Sequence, residues 1–157
     1  MLKKLPLVGL TTLLLLATGA AYGQVFPRGN GISLAGLDRV DIFVRVANWD
    51  GLDEDPQEFR LDAQRRLVRA LDRLGVTNRP SRTDQLICNV HAQQEGNQVV
   101  YATRLEYWAL KSTDVHVLQW EQETVASARS NRFNARQIAS TCADFFSEEW
   151  RKWNSTD

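Results

Sequence analysis

Cys88 and Cys142 are the two cysteines of the chain and its most reactive side chains. In an oxidising compartment two such thiols form a disulfide. Cys88 falls on the apolar side of an alternating stretch, and Cys142 in the middle of an apolar stripe at helical spacing. The expected bond therefore staples a strand to a helix. The two histidines, His91 and His116, stand alone, without an i,i+4 or HExxH spacing, and so carry no metal or acid–base signature. Residues 50–55 read DGLDED. Calcium loops need oxygen ligands at fixed alternating positions, which this run does not supply. Acids beside a helix start are explained by the macrodipole. The chain has no GxSxG, no glycine-rich phosphate loop and no CxxC, and no nucleophile stands beside a base. We read it as non-catalytic, with no cofactor and no metal.

What remains is recognition by surface. Five tryptophans are spread over the chain. Trp and Arg are the residue types most enriched where truncation costs binding energy. The candidate partner surface is Trp108 with Arg104, Glu106, Val117, Phe43 and Arg45, placed together by the strands that must carry them.

Those strands lie in residues 85–127. Gly96-Asn97 suits a two-residue hairpin loop, because both residues tolerate positive φ. That loop sets Glu95 opposite Gln98, Val90 opposite Thr103, Cys88 opposite Leu105 and Leu86 opposite Tyr107. A second loop at Ser112-Thr113 sets Leu110 opposite Val115, Tyr107 opposite Leu118 and Leu105 opposite Trp120. Alternation then sorts two faces. Leu86, Cys88, Val90, Leu105, Tyr107, Leu118, Trp120 and, near the turn, His116 face the core. Asn89, His91, Arg104, Glu106, Trp108, Val117 and Glu121 face water. In this register Arg104 opposes Glu121 as a cross-strand ion pair.

Before the meander, residues 39–47 alternate cleanly as strand one, with Val40, Ile42, Val44 and Val46 on one side and Asp41, Phe43 and Arg45 on the other. Asp55-Pro56-Gln57-Glu58 is a capped helix start. Helix one runs to about residue 74, where Gly75 ends it. Asn134 starts helix two, which runs to about residue 153 with Ile138, Cys142, Phe145, Phe146, Trp150 and Trp153 on its apolar arc. The order is βαβββα. The expected fold is α/β (α+β): a two-layer sandwich, two helices on one face of a four-stranded mixed sheet. The place of strand one in that sheet is left open.

The first 23 residues carry Lys3 and Lys4, an apolar run from residue 5 to 17, and small residues around Ala21-Tyr22-Gly23. This is the pattern of a signal peptide, so the protein is expected to be periplasmic or secreted after cleavage. Residues 24–38, with Pro27, Gly29, Gly31 and Gly36, are expected to be a flexible segment, and 39–157 a single domain. Removing residues 1–23 takes two lysines and no acid from the 19 basic and 19 acidic residues, leaving 17 and 19 and a net charge of −2. That balance gives no reason to expect nucleic acid or a lipid surface as partner, and no stable membrane insertion is expected once the leader is gone.

The segments VDIFVRV, LDRLGV, YATRLEYWAL, VLQWEQETVAS and FFSEEWRKW, from strand one through helix two, resemble those of small exported bacterial proteins of unknown function. The βαβββα order is also similar to domains of periplasmic and outer-membrane accessory lipoproteins, such as activators of peptidoglycan synthases and auxiliary components of transporters. This resemblance implies a pattern of fold, and no functional residue comes with it.

Three readings follow. The first is an exported, non-catalytic binding or accessory module of the cell envelope, with an envelope protein or a second copy as partner. The second is a carrier of a small apolar ligand held between helices and sheet. The third is an uncharacterised hydrolase.

Overall fold

The computed structural model describes residues 24–80 and 84–155. The expected signal peptide lies outside the described residues. The elements are β1 (Gln24–Gly29), β2 (Arg39–Asp50), α1 (Pro56–Arg73), β3 (Thr77–Asn78), β4 (Gln85–Glu95), β5 (Gln98–Ser112), β6 (Val115–Arg129) and α2 (Ala135–Asn154), with short 3-10 turns at Gly31–Leu34 and Ser130–Arg132. The sheet is mixed and six-stranded, in the order β1-β6-β5-β4-β2-β3. The α+β class is as expected, and the four-strand count is corrected by β1 and β3.

Local chemistry explains the helices. Asp55 Oδ1 accepts from the backbone N–H of Gln57 and Glu58 at 2.8 and 2.9 Å, and Pro56 opens α1. Gly75 adopts φ +76° just past its end, the left-handed conformation in which helices often terminate. Asn134 caps α2 through the N–H of Arg136. Both helices pack on one face of the sheet. Phe59, Leu67 and Leu71 of α1 and Phe146, Ile138 and Cys142 of α2 bury against Val40, Leu86, Val90, Leu105 and Trp120.

The first hairpin has the register expected, from Glu95 opposite Gln98 to Leu86 opposite Tyr107. The second differs. Its loop is Thr113-Asp114, since Ser112 pairs with Val115, and two bulges follow: Lys111 is extra on β5, before Leu110 pairs with His116, and Gln119 is extra on β6, since Trp108 pairs with Leu118 but Tyr107 with Trp120. Between the two bulges the faces of β6 are exchanged. Leu118 and His116 therefore join the water-facing side, opposite Trp108 and Leu110. Val117 crosses to the helix side, opposite Ala109.

Residues 24–38 carry β1 and a 3-10 turn. Pro27 and Gly29 suggested a loop, yet both fit an edge strand. The hairpin geometry makes β6 turn its odd residues from 121 to 125 toward β1, so β1 binds it through residues 24, 26 and 28. The nitrogen of Pro27 then faces outward, where a missing N–H costs nothing. Gly29 has φ +78°, and a Cβ there would lie 2.4 Å from the carbonyl oxygen of Gln119.

β2 lies beside β4, parallel to it, and pairs with the two-residue β3 only at Arg39 and Val40. Among the described residues, no helix is long and apolar enough to cross a membrane.

Candidate interaction surface

The face away from the helices is built in cross-sheet rows, because paired residues share a face. One row reads Phe43, Ile87, Glu106, Glu121 and Arg28, and the next reads Arg45, Asn89, Arg104 and Glu123. At one end Gln85, Trp108 and Leu118 form a third row. At the other, Ala47, His91, Ala102 and Val125 form a fourth.

Glu106 and Glu121 stand directly opposite one another and are each only 7 % exposed. Like charges in that relation repel, and burial raises the cost of leaving either carboxylate without a partner. Each is compensated. Arg104 Nε lies 2.8 Å from Glu106 Oε1, an ion pair although its N–H is not aimed at an acceptor. Trp108 Nε1 donates to Glu106 Oε2 at 2.9 Å. Arg28, from the segment expected to be a loop, comes within 3.4 Å of Glu121. Four charges thus sum to zero in the middle of the face. The expected pairing of Arg104 with Glu121 is replaced, because the two-residue shift sets Glu123 opposite Arg104 instead.

Of the candidate surface, Trp108, Arg104 and Glu106 are brought together, and Phe43 and Arg45 lie on the same face at the β2 edge. Val117 does not join them; Leu118, 38 % exposed, takes its place. Trp108 is half-buried, with its indole N–H committed to Glu106. Sequence alone missed the roles of Leu118 and Arg28, since the bulge that places one and the edge pairing that places the other leave no local signature. The two histidines share this face but do not converge. Their β5 partners, Ala102 and Leu110, are eight residues apart, roughly 26 Å along a strand.

Elsewhere, chemistry serves structure. Cys88 on β4 and Cys142 on α2 form the expected disulfide, with Cα atoms 6.1 Å apart and both residues buried. In the acidic run, Asp55 is engaged as the α1 cap, and the Glu54 carbonyl accepts from Trp49 Nε1 at 2.7 Å. Trp49 stacks at 4.3 Å on Phe59 and sits edge-on to Phe133, closing one end of the core. A polar cleft of about 430 Å³ is lined by residues including Asp38, Arg39, Asp84 and Tyr107. In it Tyr107 Oη donates to Asp84 Oδ2 at 2.5 Å, and Asp84 Oδ1 accepts from the Leu110 N–H at 2.8 Å. Burial first, and then the Asp84 carboxylate, push the Tyr107 phenol far above its ordinary value. A phenol held protonated is a donor and neither a base nor a nucleophile. This pair buckles the start of β4 to the far end of β5.

No family model matches the chain, and no curated protein matches it. Among solved structures its fold is similar to PelC from Paraburkholderia phytofirmans, solved as a dodecamer. The PelC dodecamer in space group P6 aligns with TM-score 0.52 at 15 % identity, covering 82 % of this chain and 98 % of that one. A PelC point variant, also a dodecamer, aligns with TM-score 0.51 at 16 % identity over the same shares.

Proposed function

We propose that the protein is a small exported, non-catalytic accessory module of the cell envelope that works by assembling with copies of itself. The observation that carries this reading is the fold: a helix-backed mixed sheet alike in architecture, over nearly the whole length of the PelC chain, to a protein that forms dodecamers. The disulfide supports export, since such bonds persist in oxidising compartments. The uncovered face supports association. Its two buried carboxylates, Glu106 and Glu121, already have counter-charges at the centre, so a partner covering Trp108, Leu118 and Phe43 does not have to supply them.

The carrier reading required a cavity between helices and sheet; that space is filled by Phe59, Leu67, Phe146, Leu105 and Trp120. The hydrolase reading required a shifted titratable group in a cleft. Tyr107 is one, but the shift disfavours the phenolate that a base or nucleophile would need, and its proton is engaged on Asp84.

Light scattering and sedimentation of the purified protein test the proposal. A concentration-dependent oligomer supports it. A monomer at all accessible concentrations ends it.

A further inference from the structure

We infer that the outer edge of β2 is a self-docking surface: a second copy adds its own β2 antiparallel to it, about a two-fold axis through Val44. This rests on the self-assembly reading above and specifies the contact.

The sheet has two ends, and they differ. β1 presents its odd residues outward, and Pro27 in their midst has no N–H to give. A proline on an edge strand blunts it as a template. β2 is different. The Asp41 N–H is taken by the carbonyl of Asp84, and the Val40 carbonyl by the N–H of Arg79 on the β3 side. Odd residues of β2 therefore bond toward β4, and even residues point outward. Beyond Val40, no further strand covers that side among the described residues. The N–H and C=O groups of Ile42, Val44 and Val46 form an intact outward ladder. It is bounded by β3 at one end. At the other it is bounded by the bulge after Ala47, where Asn48 sits at φ +52°.

That window selects the occupant and the register. A window of five residues, 42–46, is centred on Val44. An antiparallel copy of the same five residues sets Ile42 against Val46, Val44 against Val44 and Val46 against Ile42, all hydrogen-bonded pairs. A copy shifted to centre on Phe43 would run its Val46 into β3. On the uncovered face the Val44-centred register sets Phe43 opposite Arg45 of the second copy, and Arg45 opposite its Phe43. These are non-hydrogen-bonded pairs, in which side chains approach most closely, and a guanidinium over an aromatic ring is attractive. Phe43 is 37 % exposed and Arg45 is exposed, so both are free to meet it.

The helix layer continues the surface. Arg66 of α1 reaches Ser140 of α2 at 3.2 Å, so the Arg66 flank of α1 faces α2. The opposite flank, overhanging the β2 edge, carries Leu61, Gln64 and Val68 at helical spacing. Leu61 is 44 % exposed. A two-fold axis beside β2 brings this flank against its own copy. A strand edge alone buries little area; the helix flank adds apolar surface to the same contact, as a stable isologous contact requires.

The test is a charge swap read by sedimentation. Phe43→Lys sets a lysine opposite Arg45 twice per contact, and should weaken self-association at least about tenfold, as loss of an interface anchor does. Adding Arg45→Glu converts each repulsive pair to an attractive one and should restore association to within about threefold. Val100→Lys, at an exposed site on the same face away from β2, should leave it unchanged. Circular dichroism confirms that each variant is folded. If the wild-type protein is monomeric, the self-assembly reading falls and this contact with it. If it assembles but Phe43→Lys assembles equally well, or the double variant is not restored, self-assembly stands and the β2 contact is wrong.

Discussion

Trp108 Nε1 donates to Glu106 Oε2 at 2.9 Å, and Glu106 lies buried on the face of the sheet that, among the described residues, no helix covers. An indole that would otherwise be a simple exposed apolar group is thus part of what holds a buried carboxylate in place.

Trp108→Phe keeps an aromatic ring, though a smaller one, and removes the donor. It should lower unfolding stability by about 1–3 kcal/mol, the cost of leaving a buried acceptor short of a partner. Trp120→Ala, in the filled core, should cost about 3–5 kcal/mol. Urea denaturation of both variants checks this. Trp108→Phe at wild-type stability would show that the indole N–H contributes nothing.

The Cys88–Cys142 bond joins residues 54 apart in sequence. The chain-entropy model assigns such a loop about 4 kcal/mol. A double Cys→Ala variant should lose a large part of that. Unfolding of the wild-type protein with and without reductant should show a matching gap. A variant as stable as the oxidised protein would place the staple's effect near zero.

Tyr107 has its phenol raised in the folded state above the ordinary 10.0. The folded protein therefore keeps a proton that the unfolded chain releases. The stabilisation is fully present below about pH 10 and drains away as pH rises beyond it. Tyr101, raised by burial, adds to the same slope. Tyr107→Phe should unfold less steeply between pH 10 and the alkaline limit, though less stable at neutral pH for want of the Asp84 bond. An unchanged alkaline slope would count against the buckle.

Gly29→Ala forces a left-handed φ on alanine and a Cβ onto the Gln119 carbonyl. It should release β1 from β6 at a cost of roughly 1–3 kcal/mol locally. Hydrogen exchange should quicken at Glu121 and Glu123, whose amides face β1. Equal protection in variant and wild type would contradict the edge pairing.

Much of the fold was legible because its signals are local. Gly96-Asn97 sets one hairpin, Asp55 and Asn134 start the helices, and alternation places Cys88 under Cys142. The misses share a cause. The Gln119 bulge breaks alternation with ordinary residues, so Leu118 and Val117 exchanged faces. β1 is specified by pairing with a strand a hundred residues away, while its own Pro27 and Gly29 read as loop. Trp108, Arg104 and Glu106 lie on the face expected because the first hairpin alone fixes them.

That distant pairing has a consequence in time. Gln24 meets Val125, and β4, β5 and β6 can form from neighbouring turns alone. A chain made from its N-terminus at about 5–20 residues per second exposes β1 for at least roughly five seconds before its partner strand exists. A segment made well before its partner strand is therefore among the last to find its place. Throughout that interval its apolar surface is open to whatever first receives the nascent chain.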